Sequence, residues 1–280
     1  VLCAEAHVIR VPEDVPTIQA ALDQVVDADT VLVAQGEYAE ALVAPPLHFT
    51  LKGDAVPDTG EYPRPIIDPS SLPNADSLSC LFLPEGSSAV LEDLTFHNGP
   101  EMYPHWIERA GGIFSRGLSV TLRHCIFDST GGAFYHWLPW GLDVVDSLSD
   151  CVFRDIQVNG VSQIDYPVIA TNCDFVSGNA IALCAAGRGS RITSCRFGVC
   201  AGGTSLIVLG NDTEVSSCAF GPTTIASQFL LSVGQDTANV VVRGNVFSGN
   251  VVSGAVVDAS SYAPESFVME DNLFMDNTVN

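Results

Sequence analysis

Basic residues are scarce in this sequence. Lys52 is its one lysine, and 11 lysines and arginines stand against 33 aspartates and glutamates, which gives 280 residues a formal net charge of −22. Because nucleic-acid binding depends on neutralising phosphates with Lys and Arg, this balance argues against a nucleic-acid partner. It also disfavours polyanionic substrates such as pectate, unless cations bridge the two negative surfaces.

Several motif classes are absent as well. A membrane-spanning helix needs a run of about 20 apolar residues, and because the chain has no such run, the sequence predicts no transmembrane helix. It has no C-x-x-C pair, no zinc motif, no Walker sequence and no Gly-x-Ser-x-Gly. We therefore predict neither a cofactor nor a metal.

The first residues leave two interpretations open. Val1–Ala6 has the Ala-x-Ala pattern of a signal-peptide cleavage site, at Ala4 and Ala6, but it also fits an ordinary first strand. We predict a secreted, extracellular protein, at a bacterial cell surface.

A short pattern recurs along most of the chain: an apolar residue, two polar residues or glycine, a Cys or Asn, any residue, and Phe. Ile192–Phe197 is one copy. The Cys or Asn returns at a nearly constant interval, within the range of about 20–50 residues that indicates a solenoid. The positions are Cys125, Cys151, Cys173, Cys195, Cys218, Asn245 and Asn272.

The positions within each copy predict the kind of solenoid. The apolar residue lies three before the Cys or Asn, whereas the Phe lies two after it, so the inward face changes parity between them. That change requires a bend at the intervening polar pair, for example Thr193-Ser194. Two short strands meeting at a corner once per repeat form a coil of a parallel β-helix.

The ladder cysteines are predicted to be buried free thiols that act as small hydrophobes. Stacked strands lie about 4.8 Å apart, whereas a disulfide needs Cβ atoms about 3.8 Å apart. Four further cysteines lie off the ladder, and the sequence does not predict their pairing: Cys3, Cys80, Cys184 and Cys200.

Residues 7–53 resemble the opening of right-handed parallel β-helix proteins of the pectin-lyase-like superfamily. The resemblance rests on Pro16–Leu22, Ala28–Val33, Gly36–Glu40 and His48–Gly53. It implies an all-β right-handed parallel β-helix with a short N-terminal capping helix. Ile18, Ala21, Leu22 and Val25 form the apolar stripe of that helix, with Asp14 or Thr17 as its cap.

A second resemblance begins at Gly111. Gly111-Gly112-Ile113, Gly131-Gly132-Ala133, Phe247–Asn250 and Phe274–Asn277 are similar to the repeats of polymorphic outer membrane proteins. Those proteins are surface-exposed and commonly adhesive. Asn250 and Asn277 hold the same position in successive repeats, and they are expected to stack and exchange amide hydrogen bonds.

We interpret residues 1–280 as one β-helix domain, with an N-terminal strand and helix in 1–53, aromatic-rich insertions in 97–148 and regular coils in 150–280. The insertions hold the candidate contacts to a glycan or another subunit, although these rings could instead cover the flank of the solenoid. The candidates are Tyr103, His105, Trp106, Tyr135, His136, Trp137 and Trp140. Nearby acids that could form a glycosidase pair are Glu101, Glu108, Asp143 and Asp146.

Motifs of enzymes with this fold are lacking. The Asn-Thr-Asp and Arg-Ile-Lys runs of polygalacturonases do not occur, and no arginine has a recognisable lyase context. Gln235-Asp236-Thr237 resembles a pectin methylesterase motif, but the partner motif is missing, so we interpret the match as chance.

Three functions remain, and we favour the first. It is a non-catalytic structural protein that assembles head-to-tail into a surface filament or stalk. The second is a cell-surface adhesin or glycan binder, and the third is a polysaccharide lyase or glycoside hydrolase. For the assembly, we expect Val1–Val11 of one subunit to cover the C-terminal coil of the next, where Asn272–Asn277 ends the repeats.

Overall fold

The computed structural model is a solenoid of three parallel sheets, which confirms the predicted parallel β-helix. Each coil contributes one strand to each sheet in turn. The structure describes residues 6–54, 64–99, 111–137, 144–157, 159–163, 166–178, 181–185, 187–200, 204–208, 210–223, 227–234, 237–259 and 266–280.

The first sheet has eleven strands in the described part of the chain, and the second and third sheets have ten each. The strands of the first sheet are Val8–Val11, Thr30–Val33, His48–Gly53, Ser88–Glu92, Ser119–Arg123, Asp146–Ser149, Val168–Thr171, Arg191–Thr193, Glu214–Ser216, Val240–Arg243 and Phe267–Glu270. Those of the second are Glu37–Tyr38, Ile66–Ile67, Thr95–His97, Ile126–Asp128, Val152–Arg154, Asp174–Gly178, Arg196–Cys200, Ala219–Phe220, Val246–Ser248 and Leu273–Met275. Those of the third are Leu42–Val43, Leu81–Leu83, Ile113–Ser115, Gly132–His136, Asn159–Gln163, Ile181–Ala185, Thr204–Val208, Ser227–Val233, Val251–Asp258 and Thr278–Val279.

The bend between the first and second sheets lies at the polar pair that the sequence pattern indicated. The second residue of each pair has a left-handed backbone, with φ between 51° at His124 and 60° at Gly244. Asn, Asp and Gly tolerate this conformation better than other residues do. The other corners of this column are Asp93, Asp150, Asn172, Ser194, Ser217 and Asp271.

The Phe of each repeat points into the core and stacks on its neighbours. Eight rings form this inner column, with successive centroids 4.6–5.1 Å apart. The spacing matches the distance between hydrogen-bonded strands, so ring stacking and strand pairing favour the same register. The rings are Phe96, Phe127, Phe153, Phe175, Phe197, Phe220, Phe247 and Phe274.

The structure places the five ladder cysteines inside the core as free thiols, and Cys80 and Cys184 are also free and buried. A hydrogen bond with Cys151 lowers the pKa of Cys173, but one with Cys195 and burial together raise it to about 12. The pKa of Cys195 is likewise about 12: the bond with Cys173 lowers it, and the bond with Cys218 and burial raise it further. These two thiols are neutral at physiological pH.

Two asparagine ladders continue this stacking in the last coils. Asn245 Nδ2 donates to Asn272 Oδ1 at 2.9 Å, and Asn250 Nδ2 donates to Asn277 Oδ1 at 2.8 Å. Asn245 also accepts from the Cys218 backbone N–H at 2.8 Å through its Oδ1. The side chains therefore satisfy backbone groups that the corners would otherwise leave unpaired.

The N-terminal helix is short, spanning Ile18–Leu22, and it packs on the first strands of the solenoid. Thr17 caps it by accepting from Ala20 N at 3.1 Å, and the Glu40 carboxylate accepts from Ile18 N and Gln19 N. Gln19 pairs with the edge of the third sheet, because its amide binds both Val43 N (2.8 Å) and Val43 O (3.0 Å). The helix thus protects a sheet edge that would otherwise be open to pairing.

Candidate ligand-binding cleft

An aromatic column lies on the outer face of the third sheet. Strand pairing aligns Val43 with Phe82, Phe82 with Phe114, and Phe114 with Tyr135. The ring centroids are 5.5 Å apart for Phe82 and Phe114, and 5.9 Å apart for Phe114 and Tyr135. Alternation along each strand sets this orientation: Leu81, Ile113 and Phe134 point inward, so the next residue points outward.

A cleft of about 300 Å³ lies beside this column. Val43, Phe82 and Phe114 contribute to its floor. The end of the 3₁₀ turn Ala75–Ser77 and the residues after it also line it, through Ser77, Leu78 and Ser79. Two serines therefore lie next to an apolar surface, and the hydroxyl of Ser77 also donates to Asn74 O at 2.9 Å. This combination suits a ligand that presents both C–H and O–H groups to the cleft.

Arg116 lines the same cleft and lies over the indole of Trp137, with its guanidinium carbon 5.0 Å from the ring centroid. This is the distance of a cation–π contact. Trp137 is 37% exposed, so part of its ring remains available to a ligand. The pair places a positive charge and an aromatic ring together on an otherwise acidic protein.

The residues that line the cleft include no carboxylate, histidine or cysteine among those that the structure describes. The rings of Phe82, Phe114 and Tyr135 are nearly parallel, with interplanar angles of 13° and 16°, so they cover one another and turn their edges outward. The cleft can contact a ligand through apolar edges, hydroxyls and a guanidinium. Its described lining lacks a group for general acid–base or nucleophilic catalysis by the usual side chains.

His136 has a different environment from the one that the sequence suggested. It points into the solenoid, where neither its side chain nor that of Asp146 has any exposed area. Nδ1 lies 2.5 Å from Asp146 Oδ2, and Nε2 lies 2.9 Å from Gly117 O. As a correction, this burial makes His136 part of the core, because a ligand at the surface cannot reach it.

Asp146 occupies a position where another coil carries a hydroxyl. Its Oδ1 accepts from Val120 N at 2.7 Å, just as Ser190 Oγ accepts from Val168 N at 3.1 Å. Since Asp146 is buried and bonded in this way, it is unsuited to act as one of two exposed carboxylates in glycoside hydrolysis.

The structure brings together only some of the predicted contact residues. Tyr135 is in the outer column and Trp137 is at the surface beside Arg116. The other candidates lie outside the described residues: Tyr103, His105, Trp106 and Trp140, as do Glu101, Glu108 and Asp143.

The sequence interpretation missed Phe82, Phe114 and Arg116. The signal was present in Leu81-Phe82-Leu83, where two leucines flank the Phe and the alternation places it outside.

Thr237, the threonine of the esterase-like Gln-Asp-Thr sequence, stabilises a turn. It is buried and its hydroxyl donates to Gly234 O at 3.2 Å. Thr213 makes the equivalent contact with Gly210 O at 2.9 Å one coil earlier. The threonine thus belongs to a recurring turn.

The family of right-handed β-helix regions matches residues 141–280. The chain belongs to this family, and its fold is the right-handed parallel β-helix that residues 7–53 implied. No curated protein matches the chain. The resemblance to polymorphic outer membrane protein repeats stays a prediction. In the described part of the chain, no helix has the length and apolar character to cross a membrane.

Several solved structures have a similar fold at low sequence identity. One is the tailspike gp49 of Acinetobacter baumannii bacteriophage Fri1, a capsular polysaccharide depolymerase, at 12% identity and a TM-score of 0.48; the match covers 99% of this chain but 62% of that one, less than two thirds. Another is Escherichia coli ybhc, at 11% identity, TM-score 0.48, and 98% and 86% coverage. A third is the periplasmic alginate epimerase AlgG, at 9% identity, TM-score 0.43, and 95% and 83% coverage.

Proposed function

We propose that this chain is a non-catalytic, extracellular β-helix protein that binds a glycan in the cleft on the outer face of the third sheet. The observation that carries the proposal is the cleft itself, in which Val43, Phe82 and Phe114 lie beside two serines. Sugars offer an apolar C–H face and a rim of hydroxyls, which match these two kinds of surface.

The charge of the protein limits the classes of glycan that it can bind. With a net charge of −22, the chain repels polyanions, whereas Arg116 can pair with an isolated acidic group. The ligand class is therefore a neutral glycan, or one with widely spaced acidic groups.

The test compares two substitutions of the same kind. Val43 is 52% exposed at the cleft, and Val176 is 41% exposed on a strand of the second sheet. We expect Val43→Arg to abolish retention on a glycan array and in calorimetry, because the arginine fills the cleft floor, and Val176→Arg to bind like the wild type. Circular dichroism verifies that both variants fold.

Two results would contradict this proposal. One is a wild-type protein that retains no glycan, and the other is a Val43→Arg variant that binds as well as the Val176→Arg control. New reducing ends or unsaturated products from a polysaccharide panel would overturn the non-catalytic part alone.

A second candidate function is the head-to-tail assembly. The observation that favours it is the apolar surface of the Leu273–Met275 strand, where Leu273, Phe274 and Met275 are 49%, 46% and 41% exposed. Val8–Val11 and Phe267–Glu270 are the two outermost described strands of the first sheet, so a second copy could continue it.

Sedimentation velocity tests the assembly. We expect the wild type to self-associate with rising concentration and Leu273→Lys to stay monomeric, because a buried lysine would lack a partner. Val176→Lys is the control and should associate like the wild type. A monomeric wild type at high concentration, or equal association of all three proteins, would contradict the proposal.

A further inference from the structure

A column of ionisable side chains follows the corner between the first and second sheets. Asp93, His124 and Asp150 occupy the same position in three successive coils, each with a left-handed backbone (φ 57°, 51° and 54°). Strand pairing fixes their order, since Glu92 pairs with Arg123 and Arg123 with Ser149. The corner therefore presets the spacing of the three side chains.

The contacts within the column are too long for good hydrogen bonds. His124 Nδ1 lies 3.5 Å from Asp93 Oδ1, and His124 Nε2 lies 3.7 Å from Asp150 Oδ2. The Glu92 carboxylate joins the first of these contacts, because its ligand oxygen, that of Asp93 and a nitrogen of His124 all lie within 4.8 Å of one another. One imidazole and two carboxylates thus surround a common point.

This spacing matches the coordination shell of a small divalent ion. Zinc binds imidazole nitrogen and carboxylate oxygen at about 2.0–2.2 Å, so two ligands of a tetrahedral zinc lie roughly 3.4 Å apart. The separation of 3.5 Å between His124 Nδ1 and Asp93 Oδ1 is close to that value. Imidazole with carboxylate is also a donor set that transition metals accept, in contrast to the all-oxygen sets of calcium.

The next residues in the column have the arrangement of an outer shell. Asp150 faces Nε2, the second nitrogen of His124, and a carboxylate in that position orients a metal-binding imidazole. Asp150 is itself held from the following coil, where Asn172 Nδ2 donates to its Oδ1 at 2.5 Å.

Two basic side chains compete for Glu92. Lys52 Nζ lies 2.6 Å from Glu92 Oε1, and Arg123 NH1 lies 3.9 Å from Oε2. An ion would therefore rely mainly on Asp93 and His124, and Glu92 would share its second oxygen. The affinity should be lower than that of a closed structural zinc site.

We propose that His124, Asp93 and Glu92 bind a divalent transition-metal ion of the zinc class, with Asp150 as the positioning residue of His124. The site lies at the corner between the first and second sheets, whereas the glycan cleft lies on the outer face of the third sheet, so the metal proposal does not depend on the proposed function.

Asparagine makes the matched substitutions, because Asn172 already occupies this corner with φ 53° and shows that the backbone accepts it. The wild type, freed of metal with a chelator, is titrated with zinc chloride by calorimetry. We expect one saturable site. His124→Asn and Asp93→Asn should each weaken it by about 100-fold or more, and Asp150→Asn by about 10- to 100-fold.

His48→Asn is the control, since His48 is exposed on the same sheet and outside the column. It should bind zinc like the wild type. The proposal is overturned if the wild type shows no saturable zinc binding, or if His124→Asn binds as well as His48→Asn, which would mean adventitious binding elsewhere. Circular dichroism of each variant separates lost binding from lost folding.

Discussion

Nδ1 of His136 and Oδ2 of Asp146 lie 2.5 Å apart, and both side chains are fully buried. Nε2 of the histidine is 2.9 Å from the carbonyl oxygen of Gly117, which can only accept, so the proton of that bond belongs to the imidazole. A further proton must then lie between Nδ1 and the carboxylate. The pair joins the end of Gly132–His136 to the start of Asp146–Ser149.

Removing this carboxylate should destabilise the protein strongly. Asp146→Ala leaves the buried His136 and the Val120 N–H without their partner, and we expect a loss of about 3–5 kcal/mol in the free energy of unfolding. Ser190→Ala is the comparison, because Ser190 holds the equivalent position with a neutral hydroxyl, and it should cost about 1–3 kcal/mol. Urea unfolding measures both, and equal losses would show that the His136 contact contributes nothing extra.

Two thiols of the ladder, Cys173 and Cys195, make the protein sensitive to alkali. A thiol ordinarily has a pKa of 9.0, whereas the pKa values of Cys173 and Cys195 are raised to about 12 in the folded protein. Their stabilisation is therefore complete below the unfolded pKa and is lost as the pH rises towards the folded one, by up to about 1.4 kcal/mol per pH unit for each thiol. We expect the urea midpoint to fall as the pH rises above about 9.

Cys195→Ala should reduce the slope of this alkaline loss, because the unfolded chain then has one thiol fewer to ionise. An unchanged slope would contradict the pKa shift. In the native protein, thiol reagents should leave the ladder unmodified until denaturant is added, since the thiolate is the reactive form. Rapid native labelling of the ladder cysteines would argue against their burial.

Asn245 offers a test of the amide ladder. Its side chain donates to Val215 O and Asn272 Oδ1 and accepts from Cys218 N. Asn245→Ala leaves these buried groups unpaired and should cost about 2–4 kcal/mol. Asn245→Cys should cost less, because cysteine occupies this position in five earlier coils. Thermal and urea unfolding compare the two, and a cysteine variant no better than alanine would refute the equivalence of the two ladders.

The side-chain amide of Gln19 pairs with the backbone of Val43 at the edge of the third sheet, where a further strand would otherwise pair. Gln19→Ala removes two hydrogen bonds to Val43 and should cost about 1–2 kcal/mol. It also exposes a sheet edge, so we expect self-association at high concentration. Gln24→Ala removes one bond from the same region, to Ala20 O, without touching the edge. Sedimentation should show association of the first variant and not the second.

Much of the fold could be predicted because the same sequence pattern, and so the same local structure, repeats in each coil. The change of parity before Cys195, and the polar pair at the same place in other coils, determine a corner without any knowledge of distant contacts. The cleft was harder to predict from the sequence. It depends on how Arg116 and Trp137 meet from neighbouring strands and on the path of the chain before Leu81. His136 shows that an aromatic-rich sequence does not by itself predict a surface site. It lies in an aromatic cluster in the sequence, yet the alternation of side chains from Phe134 places it inside the solenoid.

The inner column of phenylalanines has a consequence for variation in length. The chain between Phe96 and Phe127 is longer than the chain between Phe153 and Phe175, yet the two pairs stack with centroids 5.1 and 4.6 Å apart. Coils of different length therefore keep the same register in the sheets. A natural or engineered change in the length of a coil is thus compatible with an unchanged interior, because the stacked rings and the paired strands keep their spacing.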